Sequence, residues 1–160
     1  MIYAIIGIII YISLRFDMRF APGALLCLIH DVIVVMGVMS LFDIKFTLTM
    51  VAAILTIIGH DINDTIIVYD RIRENLRKGK GGDMGKVINL SVNETLSRTI
   101  MTTLTTEFTL VAIWLLGGGT IKDFGFIVGV GVILGTYSSI FVAAPLTMYL
   151  ERLFRKRALA

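Results

Sequence analysis

TIIGHDINDTIIVYDRIREN, residues 56–75, begins as a membrane segment and ends as a charged loop. Its first residues are apolar enough to lie in lipid, whereas its end carries Asp70, Arg71, Arg73 and Glu74. Between the two stand His60, Asp61, Asn63 and Asp64. A charge held at the bilayer centre costs about 2.5–3.5 kcal/mol on insertion scales. Such groups must therefore pair, face water or become neutral, and any of these requires a sheltered place between helices.

The rest of the chain supplies those helices. Of 160 residues, 56% are hydrophobic, and the mean hydropathy is +0.86. Soluble domains hold about 45–50% apolar residues and seldom carry long unbroken apolar runs. Here such runs fill most of the length, which excludes an ordinary soluble domain and points to an all-α, polytopic membrane bundle. The single cysteine, Cys27, lies inside an apolar run. It can form no internal disulfide or thiolate zinc site, and reads as a small packed residue.

Five spans are expected, at about residues 1–14, 23–42, 47–69, 99–116 and 124–150, making one transmembrane domain over 1–160. The first, MIYAIIGIIIYISL, has neither a basic stretch ahead of it nor a small-residue cleavage site. It reads as a membrane helix, not a signal peptide. Pro22 marks the start of the second span, and Gly117 to Gly119 end the fourth. Between spans three and four, KGKGG at 78–82 reads as a turn and Asp83 as a cap. Met84, Val87, Ile88, Ser91, Val92, Thr95 and Leu96 then recur at helical steps. They predict an interfacial amphipathic helix over about 83–97, leading into the fourth span.

Loop charge gives an orientation. The connections with Arg15 and Arg19, the stretch from Arg71 to Lys86, and the tail from Arg152 to Arg157 are all basic. The alternate loops, FDIKFT and GGGTIKD, each pair one lysine with one aspartate. The positive-inside rule makes the basic connections cytoplasmic, with the amino terminus outside and the carboxyl terminus inside. In the last span, Gly125 with Gly129 and Gly131 with Gly135 form two small-xxx-small pairs that permit close helix approach. Pro145 is expected to kink that span near its cytoplasmic end.

The candidate site residues are the ionisable groups at membrane depth: Asp31 beside His30 in span two, His60, Asp61 and Asp64 in span three, and Glu107 in span four, with Arg98 at that span's cytoplasmic mouth. His60 and Asp64 are four apart and Asp61 and Asp64 three apart, so one helical face can collect them, broadened by Asn63 and Thr65. Spans three and four run antiparallel, which permits a salt bridge from Asp64 to Arg98 and puts His60 and Glu107 at one depth. Acids poised between burial and a guanidinium can take up and release protons, as in pumps and transporters. The bland readings are a static ion pair holding helices together, and for Arg98 a side chain reaching to lipid headgroups. A third reading uses the pairs His30–Asp31 and His60–Asp61 as zinc ligands, although their spacing matches no known motif and no nucleophile stands out. Asp43, Asp70, Glu74 and Glu94 read as solvated or interfacial charges. No cofactor, catalytic residue or nucleic-acid partner is implied.

GHDINDTIIVYDRIREN resembles the signature G-x-x-[IL]-N-D-[TS]-x-[IV]-V-x-D-R-I-R-E-N of the SecF type in the SecD/SecF protein-export family. LRFDMRFAPGALLCLIHDV, VNETLSRTIMTTLTT, LLGGGTIKDFGF and GTYSSIFVAAP agree with it in the same order, covering nearly the whole chain. The resemblance implies the resistance-nodulation-division superfamily, and a non-enzymatic subunit of the bacterial cytoplasmic (inner) membrane. It also implies a SecD partner, association with the SecYEG channel and YajC, and use of the proton-motive force to draw out preproteins delivered by the SecA ATPase. By the same resemblance, Asp64 matches the aspartate of the N-D-T motif and Arg98 the arginine of the L-S-R-T motif, both implicated in proton movement. Alternatives are a structural subunit that only stabilises SecD or the channel, and another proton-coupled transporter of the superfamily. Family members begin with a further helix and a periplasmic domain, so the chain corresponds to spans two to six. His60–Asp61 and Glu107 depart from the family pattern and add protonatable groups beside the expected proton path.

Overall fold

In a computed structural model of the chain, residues 7, 21–78, 84–143 and 145–146 are described. The expected first span, its flanking Arg15 and Arg19, the cap Asp83 and the basic tail lie outside them, apart from Gly7. The described part holds four long helices: α1 (Ala21–Leu41), α2 (Leu48–Arg77), α3 (Met84–Leu116) and α4 (Thr120–Ser138), the last continuing into a π-helical turn at Ser139–Ala143. All four are long and apolar enough to cross a membrane. The five-span count is therefore matched in four of its members.

Local chemistry accounts for the ends. Pro22 lies in the first turn of α1, where its missing N–H is no loss. Beyond Leu41, the Ile44 N–H returns to the Met39 carbonyl at 2.9 Å. Asp43 takes a left-handed φ of 53°, a conformation that aspartate accepts more readily than most residues. The Thr47 hydroxyl caps α2 by accepting from the Met50 N–H at 3.4 Å. Gly119, also at φ 53°, turns the chain from α3 into α4.

Two boundaries differ from the sequence expectation. α2 does not stop near Tyr69 but runs on to Arg77, and the segment at 83–97 is no separate interfacial helix. From Met84 it is the first part of α3, continuous with the span as far as Leu116. Both differences have one cause: the α2 extension and the start of α3 are each other's partners. Ile72 and Ile88 share a core cluster, and Asn75 donates to Ser91 at 2.9 Å and to Glu94 at 2.8 Å. Arg71 donates to Glu94 at 2.7 Å and to Glu74 at 2.5 Å. The apolar stripe that periodicity assigned to a lipid surface is buried against another helix.

α2 and α4 form the middle of the bundle, with α1 and α3 each contacting both. The glycines of α4 decide how closely it fits. A side chain at Gly125 would meet Ile113 and Trp114 of α3, and at Gly129 it would lie 3.2 Å from Glu107 Oε2. At Gly131 it would overlap Ile57 of α2, and at Gly135 the Asp61 carboxylate. The first pair thus admits α3 and the second admits α2, on two faces of one helix. Near its end α4 widens into the π-helical turn, which precedes Pro145. Proline offers no N–H to the carbonyl four residues back, and the wider turn accommodates that loss.

Two apolar clusters hold the helices together. One joins Cys27 and Leu28 of α1 to Val68, Tyr69 and Ile72 of α2, with Ile88 and Ala143. The other joins Val35 and Met39 of α1 to Met50, Ala53 and Ile57 of α2, with Leu110, Ile127 and Val132. Between the two clusters lie buried polar side chains: Asp31 of α1, Asp61 of α2, and Ser138 and Ser139 at the end of α4.

Candidate functional site

That intermediate layer is where the acids meet. Asp31 from α1 and Asp61 and Asp64 from α2 are each no more than 2% exposed, among Thr65, Ser138 and Ser139, which are also buried. On α2 the buried face reads Asp61, Asp64, Thr65, Val68, stepping by three and four residues. Asn63 points elsewhere and is exposed, so it does not broaden the acid face as the spacing suggested.

The three acids differ in their partners. Asp31 Oδ2 accepts from Ser138 Oγ at 2.6 Å, and its Oδ1 lies 3.0 Å from His30 Nδ1. Cys27 Sγ, on the same helix, is 3.6 Å from Asp31 Oδ2 and 3.3 Å from Ser138 Oγ. Its one proton serves either contact. Among the described residues, Asp61 has no hydrogen-bond partner at either oxygen, and neither has Asp64. His60 Nδ1 stands 3.9 Å from Asp64 Oδ2, too long for a hydrogen bond and within ion-pair reach when the imidazole is protonated. Thr65 and Ser139 share a hydrogen bond of 3.2 Å across α2 and the π-helical turn.

The expected salt bridge from Asp64 to Arg98 is not made. Arg98 is exposed on α3, and the Asp64 oxygens remain without a hydrogen-bond partner among the described residues. The Arg98 charge nevertheless reaches the Asp64 carboxylate as an electrostatic field. The reason lies in α3, whose apolar window is only 11% buried. Arg98 follows the uncovered side of that helix, while neighbouring Thr99 is buried.

Glu107 does not join the layer either. It lines a groove of about 120 Å³ with Leu110, Trp114, Gly125, Phe126 and Gly129, on the face where α4 meets α3. One of its oxygens is buried without a partner among the described residues. Sharing a depth with His60 does not bring it to His60, because α4 presents different faces to α2 and α3.

As for metal, no group of three or more His, Cys, Asp or Glu side chains among the described residues could hold an ion. His30 pairs with Asp31 and His60 with Asp64, so the two His-Asp dipeptides do not converge on a shared centre. Sequence reasoning did not single out Ser138 and Ser139. Their signal was present in GTYSSI, where two adjacent serines follow Thr136 and Tyr137 after the apolar run IVGVGVIL.

Buried acids within several helices long and apolar enough to cross a membrane, Asp31 among them bonded by a hydroxyl and an imidazole, define a multi-pass membrane protein with an ionisable interior. Intramembrane groups of this kind mark ion or substrate pathways. The chain belongs to the family described as "Protein export membrane protein SecD/SecF, C-terminal", whose profile matches residues 1–153. It is 48% identical over 160 residues to the protein translocase subunit SecF of Rickettsia rickettsii, a match covering 99% of this chain and 52% of that protein. It is 54% identical over 144 residues to the same subunit of Cereibacter sphaeroides, covering 90% of this chain and 44% of that one. The chain thus spans about half the length of these relatives. Among solved structures, SecDF in a super-membrane-facing form superposes with a TM-score of 0.86 at 40% identity, over 95% of this chain and 21% of that one. SecDF of Thermus thermophilus, described as a translocon-associated membrane protein, gives a TM-score of 0.86 at 42% identity, over 90% and 20%.

Proposed function

We propose that the chain is the membrane part of a SecF-type export subunit, which works beside a SecD-type partner and couples proton movement to preprotein translocation. The export role follows from family membership and from relatives named as translocase subunits. The SecD partner follows from the likeness to SecDF, and association with the SecYEG channel and YajC from the family resemblance. One observation carries the proton step: the Asp64 carboxylate is buried at the centre of α2 with no hydrogen-bond partner among the described residues, 3.9 Å from His60 Nδ1 and inside the field of Arg98.

A carboxylate in that position changes charge when a cation approaches or retreats, since opposite charge favours its ionised form and burial disfavours it. Arg98 lies on the sparsely covered helix α3, so a partner packing there can move it towards Asp64 or away. The membrane potential supplies about 2.3 kcal/mol per elementary charge per 100 mV to bias such a step. The loop charges favour the cytoplasmic membrane with the amino terminus outside.

The test replaces Asp64 by Asn, and separately Arg98 by Met, in the complete SecD–SecF complex. Both variants are expected to insert and assemble while losing proton-dependent stimulation of export. Normal stimulation in both would defeat the assignment. A purely structural role is favoured by the polar contacts that tie α2 to α3 through Asn75 and Glu94. That reading requires export to fall in proportion to complex yield, with its proton dependence intact.

A further inference from the structure

α4 is held in two different ways along its length. As far as Gly135, its backbone packs directly against Ile57 and Asp61 of α2, at positions where no side chain would fit. From Ser138 onward, hydroxyl groups make the polar contacts. Ser138 donates to Asp31 of α1 at 2.6 Å. Ser139 shares a 3.2 Å hydrogen bond with Thr65, and the Tyr69 phenol donates to the Ala143 carbonyl at 3.3 Å. Thr65 and Tyr69 lie one turn apart on a single face of α2. They grip the two ends of the π-helical turn, Ser139 and Ala143.

The turn is also where the helix bends most readily. Its hydrogen-bond ladder is wider than that of an α-helix. Pro145 has no N–H to offer the Phe141 carbonyl four residues back. Helix bends collect at prolines and π-helical turns for these reasons. The two hydroxyl bonds to α2 are longer than the ~2.7–2.8 Å usual for a hydroxyl donor. On the outer side, Tyr137 stacks on Phe141 at 5.0 Å, and both rings are exposed. On the inner side, Ala143 completes the apolar cluster of Cys27, Leu28, Tyr69 and Ile72. Through Tyr69 and Ile72 that cluster follows the acids along α2, towards the connection with α3.

We propose that the π-helical turn is a hinge latched by Tyr69 and Thr65, and that its opening admits water to the buried acids from the side of the α2–α3 connection. The closely packed part of α4, up to Gly135, stays in place. When the phenol and the threonine hydroxyl release the turn, the helix end moves off α2 and parts the apolar cluster around Cys27. Asp31, one turn further along α1 from Cys27, is uncovered with it. Tyr69 and Thr65 are thus positioning residues, which act on the acids through the turn. The inference rests on the proton-coupled reading above only for what the admitted water does.

Cys27, the single cysteine of the chain, reports the opening. It is 2% exposed and lies 3.3 Å from Ser138 Oγ. Its alkylation by N-ethylmaleimide is followed by mass spectrometry in the complete SecD–SecF complex, in vesicles of phosphatidylethanolamine and phosphatidylglycerol at one pH. A buried group reacts through local opening, so the rate follows the opening equilibrium. Tyr69→Phe and Thr65→Val each remove a hydroxyl and keep the shape. Each is expected to raise the rate about fivefold, the factor for one ordinary hydrogen bond. Pro145→Ala restores the missing N–H, lets the α-helix continue and should lower the rate below wild type. Gly131→Ala crowds Ile57 in the other apolar cluster and should leave the rate unchanged. The hinge is overturned if Tyr69→Phe has no effect, or if Pro145→Ala fails to slow the reaction. A rise in every variant, Gly131→Ala included, means general loosening of the bundle and overturns it equally. Failure of the export reading is distinguishable: Asp64→Asn would then export normally while the alkylation contrasts remained.

Discussion

The Asp61 carboxylate lies where the side chain of residue 135 would be, and glycine at that position is what lets α2 and α4 meet with an acid between them. Gly131 plays the same part for Ile57 one turn away. The α2–α4 contact is therefore a row of α2 side chains received by α4 backbone, with one apolar and one acidic member.

Glycines of this bundle should differ sharply in their tolerance of a methyl group. Gly135→Ala is expected to lower stability by about 1–3 kcal/mol, because overpacking outweighs the helix-propensity gain. Gly37 faces open space on α1, so Gly37→Ala should be neutral or stabilising by up to about 1 kcal/mol. Thermal unfolding in detergent, run on both variants side by side, checks the contrast.

Ser138→Ala removes the 2.6 Å donor to the buried Asp31 carboxylate. Hydrogen bonds to charged groups contribute about 1.5–3 kcal/mol, and a loss of that size is expected. In an Asp31→Asn background the same change should matter less, and a double-mutant cycle on unfolding free energies reads the coupling.

Asn75 is fully buried and bonds both Ser91 and Glu94. Asn75→Ala should cost about 1–3 kcal/mol by leaving Ser91 and Glu94 short of a donor. Amide exchange should rise first in the α2 extension near Ile72 and the facing part of α3 near Ile88. Uniform exchange across all four helices would count against a local latch.

Asp64→Asn conserves shape and replaces a buried carboxyl that has no hydrogen-bond partner among the described residues. Its melting temperature in detergent should be equal to or above that of the parent, even as proton-dependent export is lost. A marked fall in melting temperature would mean that the carboxylate holds the bundle together and is not a working group.

The membrane class and four of the five expected helical spans were legible in the chain, because hydropathy and residue spacing are local properties. The same holds for the turn at Gly117–Gly119, and for the pairing of His60 with Asp64 one helical turn apart. Spacing also divided the α4 glycines into the two pairs that meet different helices.

What one segment cannot encode is which face of which helix it will meet. Three- and four-residue periodicity marked 84–97 as amphipathic but could not distinguish a lipid surface from the side of α2, since both bury an apolar stripe. Equal depth suggested that Arg98 and Glu107 would join Asp64 and His60. Rotation about the helix axes decided otherwise, carrying Arg98 to the uncovered side of α3 and Glu107 into the α3–α4 groove. The same rotations brought Asp31 of α1 to Ser138 and Asp61 of α2 to Gly135, both on α4. Composition and periodicity thus determined how far each group lies along its helix, while only packing against neighbours determined the direction in which it points.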